Sequence, residues 1–359
     1  MPSPVRIGII GGGKISELHA NGYLSSDNAI ISAVADKDEN VSKIRAAQWG
    51  AKKHYIDYKD LLANPEIDAV EILTPHNLHA QMVIDAIKAG KHVSVQKPMA
   101  ISLTECDEMI SASSASSRIS RVFENFMYYP PIAKAKNILD NGDVGDPISL
   151  RIKSARGSHK YGWNVPDSAN EWRFDDKQSG GGRTIFDFGY HVFALAIHLF
   201  GEIDQVFAWI REEALQNGQI MDSPAIISWI YKEGCKQGSW DATSSDEIII
   251  PSDYYAEDEW IEISGTRGFI WINRCTGKTL NQPPLVLYSN GKFTEISIEE
   301  KELDWATSFS LGVQNFVDSI VSDKKTSLTF EEGKNVYLFA RGAQRASVEN
   351  RPIKMAEMI

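Results

Sequence analysis

Val5-Arg6-Ile7-Gly8-Ile9-Ile10-Gly11-Gly12-Gly13-Lys14-Ile15-Ser16 is the stretch on which the fold turns. An apolar run of strand type enters a glycine turn, and a helical pattern leaves it. Gly11 permits the tight turn, and Gly13 lets the backbone come close to a pyrophosphate. The free N–H groups at the following helix N-terminus favour that negative charge. The third glycine position holds Ser16, a departure expected to loosen helix–strand packing. A second apolar run, Ile30-Ile31-Ser32-Ala33-Val34-Ala35, ends on Asp36. Its offset is the roughly 20 residues at which a carboxylate meets an adenosine ribose. A dinucleotide cofactor is therefore expected. Asp36 favours NAD because a carboxylate repels a 2′-phosphate, while Lys37 beside it leaves NADP open.

Outward from this turn, strand-like runs at 5–10, 30–35, 69–73, 91–95 and 119–123 alternate with helical patterns. The helices fall near 14–24, 38–48, 57–63, 77–89 and 102–115. Such alternation predicts a parallel sheet with crossover helices. The rhythm changes after Pro130. A helix at 131–140 precedes strand-like runs at 147–156, 203–211, 224–231, 235–241, 246–251, 259–264, 268–272, 284–288 and 293–298. An apolar helix at 183–199 interrupts them, and helices at 304–322 and 331–347 follow. Consecutive strands argue for antiparallel pairing. The expected class is α/β: an N-terminal Rossmann dinucleotide-binding domain over 1–125, then an α+β domain with a large, mostly antiparallel open sheet over 126–359. Aromatic residues between 254 and 293 read as core or subunit interface.

A chain of 359 residues exceeds the usual size of one core, which fits two domains. Its net charge of −11 disfavours nucleic acid and anionic membranes as partners, and no basic cluster offsets it. Cys106, Cys235 and Cys275 have no paired spacing, so neither a disulfide framework nor a metal site is expected. A reducing, cytoplasmic setting suits them. No signal-peptide pattern opens the chain, and the apolar stretch 185–200 carries Asp187, His191 and His198, too polar and short to span a bilayer.

Ligands of doubly wound sheets bind beyond the carboxyl ends of the strands. Two loops qualify: Thr74-Pro75-His76-Asn77, and Gln96-Lys97-Pro98. A lysine at a strand tip is suited to stabilising negative charge on a substrate oxygen. A second constellation, Ser179-Gly180-Gly181-Gly182-Arg183-Thr184-Ile185-Phe186-Asp187-Phe188-Gly189-Tyr190-His191, opens the apolar helix. Asp187 and His191 are i and i+4 and share a helix face. An acid and an imidazole on an apolar helix are costly unless satisfied or used; a structural hydrogen bond between them is the plain alternative. His19 and His79 read either as helix packing or as neighbours of the phosphate-side loops.

These residues together resemble the Gfo/Idh/MocA family of oxidoreductases, essentially end to end. The resemblance rests on Gly11-x-Gly13-x-x-Ser16-x-x-His19, Asp36, Thr74-Pro75 with Leu78-His79, and Ala89-Gly90-Lys91-His92-Val93. It rests also on Gln96-Lys97-Pro98, Gly180-Gly181-Gly182 and Asp187-x-Gly189-x-His191. It implies NAD or NADP as cofactor, and a lysine, aspartate and histidine acting on a sugar or cyclitol hydroxyl, here Lys97, Asp187 and His191. The implied cofactor set is Gly11, Gly13, Lys14, Ile15, Asp36, Lys37, Thr74, Pro75, His76, His79, Gln96 and Lys97. Substrate contacts are expected from Tyr128, Tyr161, Trp163, Trp172 and Arg173, whose aromatic faces and guanidinium suit sugar rings and their oxygens.

A homodimer or homotetramer through the second-domain sheet is also implied. The chain departs from the family pattern at Gln96, where glutamate is usual, at His76 inserted before Asn77, and at Ala194, where an acid often stands. Gln96 removes a carboxylate that would favour a charged Lys97. Two other readings share these residues: an NAD-dependent glycosidase working by transient oxidation, and a non-catalytic NAD(P)-binding sensor or co-repressor.

Overall fold

The computed structural model describes residues 3–158, 162–163, 165, 167–215 and 218–359, in two compact units. The first comprises residues 1–125, 167–181 and 309–337, and the second residues 126–166, 182–308 and 338–359.

In the first unit, β1 (Val5–Ile10), β2 (Ala29–Ala35), β3 (Lys53–Tyr55), β4 (Ala69–Ile72), β5 (His92–Gln96) and β6 (Ser120–Phe123) form one sheet. Its order is β3-β2-β1-β4-β5-β6, all parallel. This is the doubly wound order of a dinucleotide-binding domain. The near-continuous apolar runs of β1 and β4 are what strands covered on both faces require. The crossovers are α1 (Ser16–Leu24), α2 (Glu39–Trp49), α3 (Tyr58–Ala63), α4 (His79–Lys88) and α5 (Leu103–Ser114). Asp38 caps α2 through Asn40 N–H, and Ser102 with Glu105 forms a capping box on α5. The short β3 lies outside the expected strands: Lys53-His54-Tyr55 is too brief and too exposed to show a period.

Segments 167–181 and 309–337, expected in the second domain, pack in the first. Hydrogen bonds hold them there, from Val122 N–H to Leu328 O and from Arg121 Nη1 to Gly312 O. Contacts between residues so distant in sequence leave no local signature.

The second unit opens with α6 (Pro130–Asp140) and β7 (Pro147–Arg156). Further strands are β8 (Ile203–Ile210), a small hairpin of β9 (Glu213–Ala214) and β10 (Ile220–Met221), β11 (Ala225–Tyr231) and β12 (Gln237–Ser244). Next come β13 (Glu257–Gly265), β14 (Gly268–Ile272), β15 (Leu285–Ser289), β16 (Lys292–Glu295) and β17 (Ile353–Lys354). Among the described residues they build a nine-stranded sheet, β16-β15-β14-β13-β7-β12-β11-β8-β17. Every pairing is antiparallel except β12 with β7. The run 246–251, expected as a strand, is a turn and extended loop instead: Ile248 N–H returns to Ser245 O, and Ile248 O accepts from Ser158 N–H.

One face of this sheet carries the core. Trp240 is fully buried, donates to Ser154 Oγ at 2.9 Å and meets Phe193 edge-on at 5.6 Å. Phe193 belongs to the helix Gly189–Phe200 and also packs on Phe339. The expected single helix at 183–199 begins as a π-helical turn, Arg183–Phe188, before becoming α-helical. Among the described residues, no helix is long and apolar enough to cross a membrane.

Beneath the first sheet's strand ends, Glu71 and Arg121 are buried charges joined through Ser94. Ser94 Oγ donates to Glu71 Oε1 at 2.9 Å and accepts from Arg121 Nε at 3.1 Å. Removing one member of a buried opposite-charge arrangement costs about 3–5 kcal/mol. Arg121→Met should lower stability by about 3 kcal/mol in a denaturant titration. A loss under about 1 kcal/mol would contradict this account of the core.

Candidate active site

The turn after β1 is built as its sequence demands. Gly11 sits at φ 99°, and a side chain there would meet the Leu73 carbonyl oxygen at 2.6 Å. Around Gly13 a side chain would meet no atom within 4 Å, so the turn has room for a bulky anion against its N–H groups. Ser16 does not loosen the packing: it is fully buried and its hydroxyl donates to Gly13 O. Lys14 and Ile15 follow directly, with Lys14 Nζ 2.8 Å from Glu17. Asp36 is anchored by Gly12 N–H on Oδ2 (2.8 Å) and Asp38 N–H on Oδ1 (2.9 Å). Each oxygen keeps a lone pair for a ribose hydroxyl. Lys37 is beside it, exposed beyond the tip of β2. These features fit a dinucleotide.

The loops after β4 and β5 are tied to each other. His79 is fully buried, with Nδ1 2.9 Å from Pro98 O and Nε2 2.9 Å from Thr74 O. It was expected among the cofactor residues; its ring nitrogens face backbone carbonyls, so it acts as a brace between Thr74-Pro75 and Lys97-Pro98. Burial pushes its ring down to about 4, against the pull of the Pro98, Thr74 and Met99 carbonyls toward a charged form. His76 is also buried: Nδ1 donates to Ser179 O at 2.8 Å, and its ring meets Trp172 edge-on at 4.7 Å. Arg173 lies over the Trp172 ring at 4.3 Å. Of the two residues expected as substrate contacts, Trp172 thus packs on His76 and Arg173 on Trp172. Lys97 is half-buried, and its N–H donates to Gln96 Oε1 at 2.8 Å. Gln96 Nε2 lies 3.1 Å from His19 Nε2.

In the second unit, Gly182 at φ 92° starts the π turn; a side chain there would strike Gln344 Nε2 at 2.4 Å. Gly182 O accepts from both Phe186 N–H and Asp187 N–H, which defines the widened turn. Asp222 caps it, accepting Thr184 N–H at 2.6 Å and Ile185 N–H at 2.8 Å, and burial pushes its carboxyl up. Asp187 is buried and paired with Arg183 Nη1 at 2.8 Å. One turn on, the half-buried His191 ring stacks on Phe126 at 4.5 Å and 11°, with Phe188 edge-on at 6.0 Å. Stacking fixes the plane of the imidazole. Tyr128 is half-buried two residues after Phe126. Trp163 belongs to an aromatic group with Tyr254 (5.2 Å) and Tyr255 (5.8 Å), and both tyrosines also meet Trp305. Tyr161 lies outside the described residues.

The structure thus groups the glycine turn, Asp36, His76, His79, Gln96 and Lys97 in one unit, with Asp187 and His191 on one helix of the other. Arg183, Asp222, Phe126 and Glu71 went unassigned in the sequence reading. Glu71 and Arg183 carried a signal, a charge inside an apolar strand or opening an apolar helix. Asp222 and Phe126 carried none.

Two family models match the chain. One, described as an oxidoreductase family with an NAD-binding Rossmann fold, covers residues 5–124. The other, the GFO/IDH/MocA C-terminal domain, covers residues 132–271. A myo-inositol 2-dehydrogenase of Thermotoga maritima is 26% identical over 360 residues, 99% of this chain and 100% of that protein. A levoglucosan dehydrogenase of Pseudarthrobacter phenanthrenivorans is 30% identical over 227 residues, 60% of this chain and 57% of that protein. The solved structure of a levoglucosan dehydrogenase with NADH and levoglucosan superposes with a TM-score of 0.83 at 21% identity, covering 98% of this chain and 100% of that one, which shows the shared fold.

The His79 brace has a pH signature. Its folded value of about 4 lies below the ordinary 6.5, so the unfolded chain takes up the proton first. Its contribution is complete above pH about 6.5 and is lost as pH falls toward 4, by about 3 kcal/mol. His92, also pushed down to about 4 by burial, titrates in the same window. The wild type compared with His79→Asn isolates the brace. Urea titrations from pH 7 to pH 4 should show a shallower loss in the variant, and parallel curves would contradict the assignment.

Proposed function

The chain belongs to the Gfo/Idh/MocA family of NAD-binding oxidoreductases, and from that premise we propose that it transfers a hydride between NAD and a secondary hydroxyl of a sugar, sugar derivative or cyclitol. One observation carries the reading beyond the family: an imidazole, His191, held flat by Phe126 one helical turn from the ion-paired carboxylate of Asp187. The inositol and levoglucosan dehydrogenases among its relatives support the substrate class.

The Gly11–Gly13 turn with Lys14 and Ile15 would hold the pyrophosphate, and Asp36 with Lys37 the adenosine ribose. Thr74, Pro75 and His76, braced by His79, would complete the cofactor set with Gln96 and Lys97. When bound, NAD supplies the two-electron acceptor. His191 accepts the hydroxyl proton as general base. Lys97 donates a hydrogen bond to the same oxygen and stabilises the negative charge that grows there as the carbon–hydrogen bond breaks. Exchange of these two roles leaves the proton balance the same. Asp187 orients His191 or grips a neighbouring hydroxyl, with Arg183 holding its carboxylate in place. Tyr128 and Trp163 supply faces for the sugar ring.

We assign the outer face of the nine-stranded sheet to contact with a second copy of the chain, as a homodimer or homotetramer. Trp209 is 57% exposed opposite Ile226 at 51%, and Phe293 is 72% exposed at the far end of the same sheet. Large apolar side chains clustered on one face mark an association surface.

A panel of inositols, sugars and sugar acids, read at the nicotinamide absorbance band, should show NADH formation with at least one member. Silence across the panel despite NAD binding would favour the sensor, and aglycone release without net NADH the glycosidase. With the substrate found, Lys97→Met should lower kcat by about a thousandfold or more while NAD affinity stays within a few-fold. Full turnover in that variant would end the proposal. Asp36 should make kcat/KM favour NAD over NADP by at least about tenfold. Ile226→Glu with Trp209→Glu should lower the sedimenting mass, and an unchanged mass would place the contact elsewhere.

A further inference from the structure

Gln96 connects the strand end that bears Lys97 to a buried group of charges, and the direction of each hydrogen bond can be deduced. Lys97 N–H can only donate, so the Gln96 atom 2.8 Å from it is the carbonyl Oε1. The other end of the side chain is therefore the amide NH2, which can also only donate, and it lies 3.1 Å from His19 Nε2. His19 Nε2 must accept. The ring proton is then on Nδ1, 3.3 Å from Glu71 Oε1.

Glu71 lies beside that nitrogen at ion-pair distance, although no hydrogen bond is formed between them. It is fully buried, and it accepts the Tyr23 hydroxyl at 2.5 Å and the Ser94 hydroxyl at 2.9 Å. Arg121, held on Ser94, supplies the balancing positive charge. Burial works against the Glu71 carboxylate, yet His19, Arg121 and Tyr23 together hold it below the ordinary glutamate range. The His19 ring also contacts Phe123 of β6 at 4.2 Å and Phe309 at 5.2 Å, neither of them titratable. Among the described residues, the charged or titratable groups joined to this site are Glu71 of β4, Tyr23 of α1 and Arg121 of β6, with Lys97 on the far side of the Gln96 amide.

We propose that Gln96 is a positioning residue: its carboxamide clamps the Lys97 backbone and, by donating to His19 Nε2, confines the ring proton to Nδ1 against Glu71. A carboxylate at this place would put an acceptor on each side of one imidazole. The Gln96 amide supplies a donor there instead, so one ring nitrogen stays an acceptor and the strand end bearing Lys97 keeps an uncharged neighbour. The clamp works through Lys97, so its kinetic consequence rests on the reading given above; its protonation pattern does not.

The test is 15N NMR of the full-length protein labelled at histidine, at pH 8. In the wild type, His19 should give one protonated nitrogen, Nδ1, and one bare nitrogen, Nε2. In Gln96→Glu both nitrogens face acceptors and should carry protons, and kcat should fall while KM for NAD changes less than about threefold. A proton on Nε2 in the wild type would overturn the proposal and requires no variant to fold. A singly protonated His19 in a folded Gln96→Glu protein would overturn it equally. Should Lys97→Met retain full turnover, the chemical role of Lys97 fails, while the His19 spectrum still decides the clamp.

Discussion

A bend that only glycine can make draws β1 and β4 together: at Gly11 the Leu73 carbonyl stands where a side chain would be. From that contact the loops of the first unit are connected one to the next. Thr74 follows Leu73 and accepts from, or faces, His79; His79 reaches Pro98; Lys97 is bonded to Gln96, and Gln96 to His19. Parallel strands end at one edge because crossovers return each to the same side, and this series of short contacts turns the edge into one rigid surface. Site loops elsewhere are often the loosest part of a fold; here a buried imidazole and a carboxamide hold them.

The second unit uses different means for the same end. The side chains proposed to react there come from one helix, whose first turn is widened so that Gly182 O serves two N–H groups. Asp222 takes the two N–H groups before those, and Arg183 pairs with Asp187. Widened turns put side chains where an α-helix would not, and they recur at functional sites. Stacking on Phe126 fixes the plane of the His191 ring.

The Rossmann half was legible because its signals are local. A glycine turn, an acid about 20 residues on and alternating strand and helix periods all lie within short windows. Lys97, Asp187 and His191 are expected as the chemical set through the family resemblance. What escaped was non-local. The 167–181 and 309–337 segments join the first unit through contacts such as Arg121 with Gly312, which no period in the sequence encodes. Asp222 stands in a loop between short strands and was silent until its backbone partners were seen. The 246–251 run reads as a strand from three isoleucines, yet its hydrogen bonds go to a turn and a loop. His79 was expected to face the cofactor, because a histidine near a phosphate-side loop gives no hint that two carbonyls enclose it.

The account stands or falls on direct transfer of a carbon-bound hydrogen. A substrate drawn from the active sugars or cyclitols, deuterated at the carbinol carbon, settles this by mass spectrometry of the recovered nicotinamide. The account predicts one deuterium in each NADH formed and a slower rate than with the protiated compound. Deuterium released to water, or retained in a product formed without NADH, would contradict it.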